Sequence, residues 1–506
     1  MTSATEPKFQ QLKQRLMEVH DLNAALHVLN WDQMTYMPPG GAEARGRQMA
    51  TLGRLLHEKF TDPAVGQLLA DLEPFEKSAP YDSDEAALIR LTRRDYERAV
   101  KVPASFVAKF SAHTSATYEA WVKARPANDF ASVRPGLENT LDYSRELANY
   151  FPGYDHIADP LIDFADHGVK AATVGALFAE LRKKLVPMVQ AITAQPLVDD
   201  ACLHQHFSEA QQLAFSIEVV KRLGYDLTRG RQDKTAHPFQ TAFSLGDVRI
   251  TTRVKEHDLG DALFSTIHES GHAMYEQGIS SRLEGTPLAD GTSSGVHESQ
   301  SRLWENIVGR GRGFWQFFYP KLQSAFPSQL ADVPLDAFYR AINRVERTLI
   351  RTDADEVTYN LHVMIRFDLE LQMLEGKLAV RDLPEAWRAR YKSDLGIAPP
   401  DDRDGVLQDV HWFAWQIGGA FQGYTLGNIL SAQFYESARK AHPEIPDQIP
   451  QGEFGTLHGW LKENIYQHGS KFTANEIVKR ATGQDLTIEP YIRYLRGKYG
   501  ELYRVE

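Results

Sequence analysis

The chain has 506 residues, 42% of them hydrophobic and 24% charged, with a net charge of −11 and an isoelectric point near 5.9. This is ordinary globular composition with ample length for a large core. It carries no basic run that would track nucleic-acid phosphates, and no apolar stretch near the ~18 residues that span a membrane. A single cysteine, Cys202, excludes an internal disulfide framework and agrees with a reducing cytoplasm. Met1 to Pro7 lacks the basic-then-apolar pattern of a signal peptide. Length alone suggests two to four domains. No Pro/Ser/Gly-rich linker divides the chain, so residues 1–506 read as one domain, either a single helical body or two fused lobes.

Helical stripes dominate. Phe9, Leu12, Leu16, Val19 and Leu22 recur at three- and four-residue spacing, and Leu52, Leu55, Leu56 and Phe60 do the same. Trp31 to Gly41 separates these two helices, because Pro38-Pro39-Gly40-Gly41 cannot continue one. A third stripe runs through Leu177, Leu181, Leu185, Met188 and Val189. Such stripes are packing faces. No internal repeat or low-complexity segment interrupts them.

Residues 241–256 differ. Leu245-Gly246-Asp247 reads as a hairpin turn, after which Val248, Ile250, Thr252 and Val254 alternate with polar residues. Thr252 to Glu256 therefore reads as strand, and His257 to Gly260 as a turn. The strand has two readings: a small structural hairpin, or an edge that binds an extended peptide with its polar side towards a cleft.

Asp261 to about Gln277 then reads as a helix, with Asp261 suited to its positive end. It contains His268-Glu269-Ser270-Gly271-His272. Histidines four apart project from one helix face and can share one Zn²⁺. Glu269 stands beside them as a general base for the attacking water. A catalytic site needs a third protein ligand. The stretch after the turn-rich Asp290 to Gly295 is the best supplier: His297-Glu298-Ser299-Gln300-Ser301-Arg302 opens an apolar helical run through Leu303, Trp304 and Ile307. Glu298 is preferred and His297 is its rival, since helix neighbours point about 100° apart. Glu276, Glu284 and Glu305 have the chemistry but read as solvated carboxylates.

Several stretches in order resemble the thermostable carboxypeptidase Taq family, the M32 metallocarboxypeptidases. They are WDQMTYMPPGGAEARG from Trp31, His237-Pro238-Phe239, DVRIT from Asp247, HESGH from His268, HESQSRLWEN from His297, IRTDAD from Ile350 and GVLQDVHW from Gly405. One departure follows His411-Trp412: the chain reads WFAWQIGGAFQGYTLGN where members carry Gly-Tyr-Phe-Pro before Tyr-Thr-Leu-Gly-Asn.

The resemblance implies a mainly α, two-lobed helical body with a deep groove and a small β-sheet beside a gluzincin-like zinc site. It implies a homodimer that removes C-terminal residues from peptides with broad specificity; cysteine usage, charge and hydropathy add the expectation of a cytoplasmic protein with no nucleic-acid or membrane partner. It names Glu298 as third ligand to one Zn²⁺ per chain; Co²⁺ and Mn²⁺ suit the same donors. Arg351 would bind the terminal carboxylate through its planar fork, with Arg249, Arg302 and His237 as further groove candidates. His411 and Tyr424 would stabilise the oxyanion, and Asp247 and Asp409 would orient histidines. The alternatives are a zinc oligoendopeptidase and a non-catalytic peptide-binding protein.

Overall fold

The apolar stripes of the sequence become helices gathered around two buried cores. The computed structural model describes residues 5–505, so Met1 to Ala4 of the N-terminal stretch lie outside it. The smaller core joins the helices Thr5–Thr35, Pro63–Ser78 and Asp84–Lys101 through Leu12, Leu16, Leu72 and Ile89. Asp62 and Ser83 start the second and third of these by accepting the backbone N–H of Ala64 and Ala86. The first helix ends at Thr35, ahead of a 3₁₀ turn at Pro39–Gly41, as the prolines require.

Two stripes are less buried than their spacing implies. Val19 and Leu22 are half-exposed, and the helix Ala42–Phe60 has no fully buried residue. Val19, Leu56 and Phe60 instead line a large cavity. The hairpin thus closes onto the smaller core through Phe9, Leu12 and Leu16 and overhangs a groove with the rest of its apolar face.

The larger core forms around the helices Ala171–Thr193 and Tyr359–Leu374. Leu181, Leu185 and Leu361 are fully buried, and Phe178 meets Phe367 edge-on at 5.2 Å. Each such side chain contributes roughly 1.5–3 kcal/mol on leaving water.

Three strands form one small sheet in the order β1-β3-β2: β1 Gln232–Lys234, β2 Gln240–Ser244 and β3 Asp247–Thr252. β1 pairs parallel to β3 with Asp233 opposite Thr251; β2 pairs antiparallel with Ala242 opposite Val248. The hairpin falls where expected, but two expectations are corrected. The strand stops at Thr252 because neither neighbour extends past it. Beyond it, Arg253 and Lys255 turn to pair with Asp261. β3 is also the central strand, so its edges are taken and it cannot receive a peptide. The outer edge belongs to β2, where Ala242 O is met by His27 Nδ1 at 3.4 Å. Among the described residues, no helix is long and apolar enough to cross a membrane.

Candidate metal centre and active site

The HESGH segment lies in the helix Leu259–Gly278, whose start is fixed by Asp258 rather than Asp261: the Asp258 side chain accepts the Gly260 N–H. The helix Ser294–Arg302 crosses behind it. A Cβ built on Gly271 would stand 2.6 Å from Ser301 Cα and 2.7 Å from Gln300 O, so glycine at that position allows the approach. On the far side, the helix Gln422–Ala441 is admitted by Gly427, where a Cβ would lie 2.5 Å from Glu298 Cγ.

These contacts bring His268, His272 and Glu298 together, with one ligand atom from each within 4.8 Å of the others. Glu298 Oε2 lies 3.8 Å from His268 Nε2 and 3.5 Å from His272 Nε2. Tetrahedral donors about 2.05 Å from one ion stand about 3.3 Å apart, slightly closer than Glu298 Oε2 stands to either imidazole.

The remaining polar atoms of the three side chains are already held. His268 Nδ1 bonds Glu305 Oε2 at 2.8 Å. Glu298 Oε1 accepts from Arg302 Nε at 2.7 Å. His272 Nδ1 meets His297 Nδ1 at 2.5 Å, and His297 Nε2 reaches Glu276 Oε1 at 2.7 Å. The Glu276 carboxylate only accepts, so the His297 Nε2 proton goes to it; a neutral His297 then accepts at Nδ1 from His272. With both imidazoles neutral, the two Nε2 atoms that face Glu298 keep a free lone pair, and the atoms left over are the three that face one another. The chemistry of this donor set fits a divalent cation with an open position.

Glu305 and Glu276 thus correct the reading of both as solvated carboxylates, for they are buried behind the ligand histidines. A sequence signal for them existed. Glu298, Arg302 and Glu305 fall at i, i+4 and i+7, and His268, His272 and Glu276 at i, i+4 and i+8, each set on one helix face. Glu284 instead accepts the Leu245 N–H at 3.0 Å. The run expected to be α-helical after Arg302 is a π-helix, Leu303–Val308, a form frequent at functional sites. Tyr494 and Lys498 brace it by donating to Asn306 O at 3.1 and 3.3 Å.

Burial opposes ionisation of Glu298, yet Arg302 and the two histidines hold its carboxyl well below the usual range. Burial drives the His272 imidazole down to about 3. Burial also lifts Glu269 to about 7, with the neighbouring Glu298 charge adding to the rise.

A second cluster lies beyond Arg302, whose guanidinium covers the Tyr359 ring at 4.6 Å. Tyr359 Oη accepts from Arg351 Nη1 at 3.0 Å, and Arg351 grips Asp409 through Nε and Nη2 at 2.8 and 2.9 Å. Arg366 adds a 2.5 Å contact to Asp409. Although burial works the other way, the two arginines hold the Asp409 carboxyl far below its ordinary value. Asp409 Oδ1 then faces His411 Nδ1 at 2.9 Å, and His411 Nε2 meets Tyr424 Oη at 3.2 Å. Burial lowers the His411 imidazole and raises the Tyr424 phenol.

Arg249 stands apart. It pairs with Asp247 at 2.8 Å and covers the rings of Trp31 and Phe243 at 4.4 and 4.8 Å. Asp247 accordingly orients an arginine.

The triad of His268, His272 and Glu298 sits between two cavities. One, of about 1000 Å³, is lined by His268, Glu269, Arg302, Arg351 and the exposed His237. The other, of about 860 Å³, is lined by His272, Glu298, His297 and the β2 edge from Gln240 to Leu245.

This arrangement is that of a metal-dependent hydrolase. Residues 11–499 match the sequence profile of the carboxypeptidase Taq (M32) metallopeptidases. The chain is 40% identical to a thermostable carboxypeptidase 1 of Thermus thermophilus, covering 98% of this chain and 99% of that one. It is 36% identical to carboxypeptidase 1 of Bacillus subtilis, over 96% and 97%. The crystal structure of an M32 carboxypeptidase from Deinococcus radiodurans R1 superposes with a TM-score of 0.96 at 51% identity, covering 99% of this chain and 100% of that chain. The chain belongs to the M32 family and is a metallocarboxypeptidase, an enzyme acting on peptides.

Proposed function

We propose that this enzyme is a gluzincin-like zinc carboxypeptidase that cuts the last peptide bond of its substrates, with the whole chain forming one catalytic domain of two lobes about the groove. The observation that supports it best is the set of three converging, otherwise unclaimed donor atoms on His268, His272 and Glu298. Bound there, Zn²⁺ would polarise the scissile carbonyl and acidify water. Glu269 takes the proton of the attacking water and returns it to the leaving amine.

Arg351 anchors the terminal carboxylate. A guanidinium has five N–H donors. Three are held by Asp409 and Tyr359, so two remain on a side chain whose direction is already fixed. His237, on the same cavity, is a further contact to substrate. Neutral His411 gives its Nδ1 proton to Asp409 and accepts from Tyr424 at Nε2. We assign the oxyanion donor to the Tyr424 hydroxyl, worth about 3–4 kcal/mol: its single proton rests on His411 Nε2 in the free enzyme and turns to the oxyanion when substrate is bound, so His411 is a positioning residue. The carboxylate end lies on the Glu269 side of the metal. The rest of the peptide leaves past Glu298 along the β2 edge, which among the described residues pairs with no further strand and carries the His27 contact at Ala242 O.

The deciding assay compares a free-acid peptide with its C-terminal amide. Preference for the acid, lost on Arg351→Lys, supports the clamp; equal cleavage of both by the parent enzyme favours an oligoendopeptidase. Metal analysis of purified protein tests zinc against Co²⁺ and Mn²⁺. A homodimer and a cytoplasmic location rest on family likeness and cysteine usage, and sedimentation and cell fractionation test them.

A further inference from the structure

We propose that the groove ends in an apolar subsite, anchored by Trp415, that takes a large aromatic or aliphatic side chain of the substrate well upstream of the cleaved bond. This rests on the carboxypeptidase reading above. Beyond the 860 Å³ cavity lies another of about 790 Å³, and the two share Arg94, Asp95 and Phe164 as common wall. A chain leaving the metal past Glu298 and β2 therefore comes up against the residues that border the second cavity.

The lining chemistry selects an uncharged, apolar occupant. Phe106, Val107, Phe110, Leu147, Phe164 and Trp415 face the space. Trp415 is 51% exposed, Val107 49% and Phe164 42%. Three large apolar side chains left open on one concave wall mark a binding surface. The charges at its mouth cancel: Arg94 pairs with Asp95 at 2.8 Å and Arg98 pairs with Asp163. With those charges paired off, His57 is the remaining titratable side chain of the lining. Trp415 is not a loose loop residue. It follows the short helix His411–Ala414, its N–H bonds His411 O at 2.9 Å, and its ring lies 5.4 Å from that of His411. The same indole thus borders the catalytic cluster on one side and the subsite on the other.

The test is a ladder of free-acid peptides with a constant C-terminal pair and a serine-rich upstream stretch, in which one phenylalanine is moved position by position. The readout is the ratio of kcat/KM for each Phe peptide over the all-Ser peptide within one protein, so that any loss acting through His411 cancels. We expect one upstream position where the ratio rises about tenfold, falling towards one in both Trp415→Ala and Val107→Ser. Cleavage with a flat ratio at every position, or a ratio that survives both substitutions, overturns the subsite and leaves the carboxypeptidase reading intact. No cleavage of any free-acid peptide overturns both. Flat ratios together with a changed sedimentation coefficient in Trp415→Ala assign the face to a second copy of this chain and also overturn the proposal.

Discussion

Glu305→Gln tests how the buried carboxylate behind the metal site works. Glu305 is 9% exposed, and its Oε2 holds His268 Nδ1 at 2.8 Å. Arg302 and Arg310 approach the same carboxylate at 3.3 and 3.4 Å. The amide keeps the shape but loses the charge. It accepts at one atom only, and its NH₂ competes for the histidine side. The His268 ring then loses the partner that fixes its tautomer and orientation, and the two guanidiniums are left less neutralised beside an incoming cation. Both effects act in the same direction. Loss of a partner of this kind costs 10–100-fold in metal affinity, or about 1.4–2.7 kcal/mol. The assay is competition for Zn²⁺ against a chelator of known affinity, with the melting temperature of metal-free protein as the control for folding. A dissociation constant within twofold of the parent would refute the reasoning, for then the carboxylate neither orients the ring nor balances the arginines.

Glu269→Gln is expected to keep the metal, measured by elemental analysis, while kcat falls by about 10²–10⁴, because the proton-transfer group is gone and the ligands are untouched. Gly427→Ala is expected to weaken Zn²⁺ binding in the same chelator assay, since the new methyl would stand 2.5 Å from Glu298 Cγ and displace that ligand. Gly271→Ala is expected to lower stability in urea by about 1–3 kcal/mol, because the new Cβ meets the backbone at Ser301 and Gln300, which cannot move aside.

Much of the site was readable before any coordinates. The spacing of His268 and His272 needs only a helix, and the helix pattern around them was strong. The choice between Glu298 and His297 was not readable from spacing. It depends on which face the helix Ser294–Arg302 turns towards the metal, and tertiary packing at Gly271 and Gly427 decides that. Both residues lie at the candidate centre, Glu298 facing His268 and His272, and His297 behind His272. The roles of Glu305 and Glu276 were legible in principle, through their helical phase with the ligands. Arg351 was traced to the site through its motif, but its partner was not: Asp409 lies 58 positions along the chain, too far for a local pattern to connect. The false strand at Thr252 to Glu256 has the opposite cause. Alternation is a property of one segment, whereas a strand needs neighbours, and β1 and β2 run out at Thr252.

Glu370 carries a consequence for stability at neutral pH. It lies in the helix Tyr359–Leu374, 1% exposed, and accepts from Trp412 Nε1 at 2.8 Å. Burial raises its carboxyl from 4.5 to about 7, against the indole N–H. The folded protein thus holds this proton more tightly than the unfolded chain, and unfolding releases it at intermediate pH. Its contribution to stability is therefore full below about pH 4.5, falls as pH rises to about 7, and is level above that. The ceiling on the loss is roughly 3 kcal/mol. Glu370→Gln keeps an acceptor for Trp412 and has no proton to lose. Measured by denaturant unfolding, the stability of Glu370→Gln relative to the parent is expected to improve from pH 5 to pH 8 by up to that amount. Taking the difference between the two proteins cancels the other titrating groups, so a difference that stays flat across this range would mean that Glu370 is ionised throughout, and that the fold around Trp412 accommodates a buried charge that its surroundings here do not explain.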